Sequence, residues 1–214
     1  MRRSMLRGVF VMVLAAAAVS AACSDDETTT PVTPTPTQTT ESFSGVLNKN
    51  DAQTFSFVVA SAGSTTATLT TLIPNVTVTV AAGGTGAFTA GESAYQGASF
   101  DTATTSATVV AWTPETRVLS LRDLTGSGFT PGQPVLGATS GASWTVDSVN
   151  TPAVGLALGT FTGTTCSIVL ANDVSGPGSA VYGAVTGQGT LCARVYDVGK
   201  MPIPANFTIE VTHY

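Results

Sequence analysis

From Phe43 to Tyr214 the chain keeps a two-residue rhythm of apolar side chains and shows no helical one. Phe55, Phe57 and Val59 alternate with Thr54, Ser56 and Val58. Val76, Val78 and Val80 alternate with Thr77 and Thr79, and Phe207, Ile209 and Val211 with Thr208, Glu210 and Thr212. A period of two puts one residue set on one face of a strand, and β-branched residues fit that pleated surface. Gly, Asn, Asp and Pro punctuate the rhythm at Asn48-Lys49-Asn50-Asp51, Ala60–Gly63 and Asn172–Gly178. Many short strands at close turn spacing predict an all-β protein, a sandwich or barrel. Charged residues are only 10% of the chain, against about 25% in an average domain, which excludes a charged disordered chain or a coiled coil.

The N-terminus has a different grammar. Arg2, Arg3 and Arg7 precede the short apolar run Gly8–Val19, and Ser20-Ala21-Ala22-Cys23 follows. Basic start, apolar run and small residues predict a secretory signal peptide over 1–22. The run is shorter than the roughly 20 apolar residues of a spanning helix. Ser20-Ala21-Ala22-Cys23 resembles the lipobox of bacterial lipoproteins, with Ser20 where Leu is commonest. The resemblance implies a lipidated Cys23 as the mature N-terminus; ordinary signal-peptidase cleavage after Ala22 is the plainer alternative. Two or three acyl chains hold a protein on a bilayer where one does not, so a membrane partner through the anchor is expected. Ser24, rather than Asp, follows the cysteine and points to the outer membrane. Residues 23–42 are rich in Thr and Pro with almost nothing apolar, so they read as a disordered tether.

Three cysteines are an odd number for an exported chain. With Cys23 acylated, Cys166 and Cys192 are left to pair in an oxidising compartment. Their spacing is not the C-x-x-C of a redox pair, so a structural disulfide is expected. Cys166 shares its parity with Ile168 and Leu170, read as a core face, whereas Cys192 shares it with Arg194 and Tyr196. A bulge, or a bridge at the sheet margin, reconciles the two.

Two stretches look like halves of one module. Phe43-Ser-Gly-Val-Leu-Asn-Lys-Asn-Asp51-Ala-Gln-Thr-Phe55-Ser-Phe57 resembles the opening of the bacterial pre-peptidase C-terminal domain. Gly159–Cys166, Thr190–Gly199 and Phe207–Val211 resemble its second half. The resemblance implies a jelly-roll-like antiparallel sandwich over 43–82 plus 153–214, with Val76–Val80 leading into Gly155–Leu158. Gln53 stands where many members carry a second Asp. Between these halves, 83–152 reads as an inserted small β-barrel-like domain with two related halves. Phe88-Thr-Ala-Gly91-Glu92 and Phe129-Thr-Pro-Gly132-Gln133 repeat one pattern, and the runs Thr105–Val109 and Ser140–Val146 follow them. The insert resembles repeats of phage structural and bacterial surface proteins.

Residues that carry chemistry are scarce. After the signal peptide, 13 acidic side chains face only Lys49, Arg117, Arg122, Arg194 and Lys200, a balance that repels nucleic acid. His213 is the only imidazole and shares the parity of the apolar face of Phe207, Ile209 and Val211. No second His is available for a metal or nucleophile site, and no Gly-Lys-Ser/Thr loop is present. Asp173 and Asp197 can meet at one end of the sandwich, as calcium ligands or as turn residues bonding their own backbone. Tyr95, Trp112 and Trp144 read either as the core of the insert or as a face for a protein or sugar partner. Together these features predict no enzyme, no cofactor and no metal. They predict a lipid-anchored binding, adhesive or scaffolding module for an envelope protein or polysaccharide. The alternative is an accessory module, binding carbohydrate or calcium, that serves a separate secreted hydrolase.

Overall fold

The computed structural model describes residues 35–201 and 203–214, so the signal peptide and Cys23 lie outside the described residues. The strands are β1 (Thr39–Leu47), β2 (Ala52–Val59), β3 (Gly63–Ile73), β4 (Val76–Val80), β5 (Ser93–Gln96), β6 (Thr105–Thr113) and β7 (Val118–Gly126). They continue as β8 (Pro134–Gly137), β9 (Ser143–Asn150), β10 (Val154–Phe161), β11 (Cys166–Ser175), β12 (Ala180–Val185), β13 (Gly189–Asp197) and β14 (Ala205–His213). One sheet has the order β1-β14-β3-β12 and another β11-β10-β13-β2, while β4-β7-β6-β5-β8-β9 close into a barrel.

The two open sheets form a jelly roll. Their strands pair antiparallel as β1–β14, β2–β13, β3–β12 and β10–β11, a ribbon folded back on itself and rolled across two sheets. The inner faces meet in one core of Leu47, Phe57, Leu69, Leu72, Leu156, Val195, Phe207 and Ile209 with their neighbours. In β14 the alternation holds without a break: Phe207, Ile209, Val211 and His213 are buried. In β3 it slips once, because Thr70 is an extra residue opposite β14. Leu69 and Leu72 therefore both point inward, three residues apart.

Two expected boundaries shift. β1 starts at Thr39, inside the stretch read as tether, because Thr40 bonds Thr212 and Glu41 reaches His213 across the β1–β14 pair. Val76–Val80, read as sandwich, is a barrel strand paired to β7 and β9. Alternation says that Val76, Val78 and Val80 face a core but not which core, and they belong to the one shared with Leu119, Leu121, Val135 and Val146. The insert thus begins after Asn75, not after Ala82, and its first and last strands are neighbours through the pair Thr77 and Asn150. Such adjacency lets a whole unit sit in one connection of a host fold.

The near-repeat of the insert is a two-fold arrangement of β4-β5-β6 and β7-β8-β9 within the barrel. Gly91 N–H donates to the Val109 carbonyl at 2.8 Å, and Gly132 N–H to the Val146 carbonyl at 2.8 Å. The Val109 and Val146 amides return bonds to the Glu92 and Gln133 carbonyls. Gly91 and Gly132 have φ of 87° and 80°, values that favour glycine, which is why the glycine recurs with the Phe.

The side chains of the two halves differ. Glu92 is 8% exposed. Its Oε1 accepts from the Thr89 amide and the Ser140 hydroxyl, and its Oε2 from the Thr139 and Ser140 amides. Burial raises its pKa, but these four hydrogen bonds outweigh burial and hold the carboxyl below its ordinary range. In the other half Gln133 is exposed, and Gln96 takes its place by bonding the Thr130 amide and carbonyl.

Candidate functional site

The three aromatic candidates of the insert do not form one surface. Trp112 and Trp144 come together at a ring separation of 5.2 Å, and Phe88 meets Trp112 at 5.4 Å. Both indoles are half-buried against the barrel core. Trp144 Nε1 donates to the Gly86 carbonyl at 2.9 Å, and the indole lies so close over Gly84 that a Cβ there would strike it. Tyr95 pairs instead with Phe100, 5.7 Å away.

His213 is sealed. It is 4% exposed, its Nε2 is 2.9 Å from Glu41 Oε1, and its ring packs against Phe57 at 5.2 Å. Its Nδ1 has no hydrogen-bond partner among the described residues. Asp173 and Asp197 do not share a ligand position. Asp197 accepts from the Asn50 and Gly199 amides at 2.8 and 2.7 Å, bracing the β1–β2 turn against β13. Asp173 Oδ1 accepts a hydrogen bond from the Tyr196 hydroxyl. Among the described residues no group of three or more metal-ligating side chains comes together.

Cys166 and Cys192 are joined, with Cα atoms 5.8 Å apart. Cys192 stands opposite Gly159 on β10, and Cys166 opposite Phe161 on the other side of β10. The expected core face of Cys166, Ile168 and Leu170 is corrected. Cys166 is buried, while Ile168 and Leu170 are 45% and 38% exposed, on an edge strand whose register to β10 breaks between Val154 and Leu156 and again between Leu158 and Gly159. Cys166, Ser167 and Ile168 pair in unbroken register with Phe161, Thr160 and Gly159, so Cys166 and Ile168 share the outward face on which Cys192, opposite Gly159, also lies. The extra residue Val169 shifts parity before Leu170.

A surface trough that was not among the sequence candidates lies on the outer face of the sheet β11-β10-β13-β2. On β10 the inward residues are Val154, Leu156 and Leu158, and the outward ones are the small Gly155, Ala157 and Gly159, with Phe161 following at the strand's end. This narrow floor is covered from β13. Tyr196 stands opposite Gly155 and Arg194 opposite Ala157, and a Cβ on Gly155 would run into the Tyr196 ring. Above these covering side chains lies an open trough of about 680 Å³ on the outer face, lined by Asp51, Ala52, Ile168, Arg194, Tyr196 and Asp197 rather than by β10 itself. Arg194 has no ion pair within 4.0 Å among the described residues, and its buried Nε has no hydrogen-bond partner. Burial, then the Asp173 hydrogen bond and charge, push the Tyr196 pKa up to about 12 against the opposing pull of Arg194. Tyr196 is therefore a neutral donor, fixed by Asp173, at any physiological pH. The one sequence signal for this floor is Gly155-x-Ala157-x-Gly159, a strand with one large face and one minimal face.

A second, apolar groove of about 220 Å³ opens beside Val169, Leu170 and Val185, with the Thr65 hydroxyl buried and without a hydrogen-bond partner among the described residues. Comparison with protein-family models, curated proteins and solved structures found no match.

Proposed function

We propose that this chain is a lipid-anchored bacterial envelope lipoprotein that acts as a non-catalytic binding, adhesive or scaffolding module. The observation that carries the reading is the open trough over β10, a ligand-sized concavity with a cation, carboxylates and a phenol on its walls. Its companion is the position of the only imidazole. A His sealed in a core at 4% exposure and bonded to Glu41 is out of reach of any substrate, so histidine-based acid–base or nucleophilic chemistry has no donor here. The lipobox-like Ser20-Ala21-Ala22-Cys23 and the Thr/Pro-rich stretch after it support display at a membrane, with the outer membrane favoured by Ser24.

A second reading draws on the same trough. The likeness of 43–57 and of 159–211 to pre-peptidase domains supports ligand capture on behalf of a separate secreted hydrolase.

Cys23→Ala tests the anchor. The unmodified chain is expected in the membrane fraction with an acylated N-terminus, and the variant in the soluble fraction. A variant that stays with the membrane, cleaved but never acylated in the parent protein, contradicts the reading.

A further inference from the structure

The geometry points to a neutral saccharide as the ligand of the trough over β10, gripped by Arg194 and by the carboxylates at the β1–β2 and β13 turns. The inference rests on the binding-module reading above and gives that module a ligand class.

Charge decides between the classes. One cation, Arg194, stands among three carboxylates: Asp51 and Asp197 on the wall and Asp173 beside Tyr196. An anionic ligand would meet that carboxylate excess, and like charges brought into a partly desolvated groove are costly. A bare cation would meet Arg194, and among the described residues these carboxylates do not come together as a group of three or more that could hold a metal ion. A polyol meets neither objection. Each hydroxyl both donates and accepts.

The walls offer both roles. Arg194 lines the trough and has no ion pair among the described residues, so the solvent-facing end of its guanidinium supplies donors, while its Nε is shut from solvent. Each carboxylate oxygen that accepts one backbone or phenol hydrogen keeps a second lone pair free. Asp51 accepts from its neighbour's amide at Ala52, and Asp197 from Asn50 and Gly199, so these acceptors are already oriented before any ligand arrives. Pre-set groups lose little entropy on binding.

Shape agrees with the chemistry. The Arg194 and Tyr196 side chains that cover β10 line the trough on one side, and Ile168, 45% exposed, offers an apolar edge for the C–H face of a pyranose on the other. The Cys166–Cys192 bridge anchors the strand that carries Ile168 two residues from Cys166. A volume of about 680 Å³ lies within the range of small-ligand sites, room for more than one sugar ring.

The test is titration calorimetry on the acylated full chain in detergent. The probes are cello-, xylo-, malto-, laminari- and chitohexaose, with hexagalacturonate as an anionic probe and calcium chloride alone. At least one neutral hexasaccharide is expected to bind without calcium. Arg194→Ala is expected to weaken it about tenfold or more, the usual scale for lost charge-assisted hydrogen bonds. Ile168→Ser, at an exposed position, should weaken it severalfold with an unchanged melting temperature. Arg194→Lys, which keeps the charge and loses the planar fork, should fall between wild type and Arg194→Ala. Trp144→Phe should leave the affinity unchanged. Overturning results are no binding of any neutral probe at millimolar concentration, tighter binding of hexagalacturonate, a requirement for calcium, or affinity untouched by both Arg194→Ala and Ile168→Ser. None of these bears on membrane anchoring by Cys23, which fails or stands on its own fractionation.

Discussion

Glu92→Ala is expected to destabilise the barrel by about 3 kcal/mol and to leave the jelly roll folded. The carboxylate ties the turn at Thr89, three residues away, to the turn at Thr139 and Ser140, 47 and 48 residues away. Its loss strands three backbone amides and one hydroxyl. An orphaned buried donor costs about 1–3 kcal/mol, but Thr89, Thr139 and Ser140 are exposed residues that water can reach, so the total falls well short of the sum. Glu92→Gln should cost less, since one oxygen survives, yet its amide nitrogen would then confront an N–H donor. Both tryptophans, Trp112 and Trp144, lie in the barrel, so urea unfolding followed by tryptophan fluorescence reads this unit alone.

The same residue makes the barrel acid-sensitive. A carboxyl held below its ordinary pKa in the folded state contributes stability at pH above its unfolded value. That contribution is lost as pH falls through the folded value. The fluorescence midpoint should therefore drop on acidification below about pH 4 in the parent chain, and the drop should be smaller in Glu92→Gln. Equal acid sensitivity of parent and Glu92→Gln would sink this assignment.

The disulfide carries an effect of similar size. Cys166 and Cys192 enclose a sequence separation of 26 residues, for which the chain-entropy model gives roughly 3–4 kcal/mol. The pair is also structurally committed, since Cys192 is 0% and Cys166 8% exposed. Cys166→Ala with Cys192→Ala should lower the stability of the sheet β11-β10-β13-β2 by that order, read as faster amide exchange in β10 and β13. Apolar alanines avoid burying unpaired hydroxyls, so the loss measures the cross-link. Two free thiols in protein taken from the envelope, or unchanged exchange in the variant, would contradict it.

Strand class and the nested plan are legible in the sequence because alternation is a local property. Phe207, Ile209, Val211 and His213 face one core as their parity says, and Phe57 and Val59 do the same in β2. The recurrence of Phe, Gly and an acidic or amide residue reflects paired turns that bond back to Val109 and Val146. What alternation cannot carry is which partner a strand takes. Val76–Val80 satisfies a sandwich and a barrel equally, and only tertiary pairing with β7 and β9 decides. Bulges are equally silent: Thr70 in β3 and the breaks along β11 shift parity without a residue that announces them. The trough follows from the same cause. Gly155, Ala157, Arg194, Tyr196 and Ile168 come from three strands, and only the registers of β10 with β13 and β11 bring them to one face.

The jelly roll is complete without the barrel if β3 and β10 are simply consecutive strands of it. Excision of 76–150, with Asn75 joined to Thr151 by a short Gly/Ser linker, tests this most directly, because Thr77 and Asn150 are paired neighbours and the cut ends lie close. Loop closure changes by only about 0.6 kcal/mol per doubling of length. The measurement is an amide NMR spectrum of the excised chain in the Cys23→Ala background beside that of its parent. Dispersed resonances of β1–β3 and β10–β14 that overlay on the parent, with Cys166 linked to Cys192, are the expected result. A collapsed spectrum, or a soluble chain with those cysteines unpaired, would mean that the barrel strands are part of the sandwich's own core.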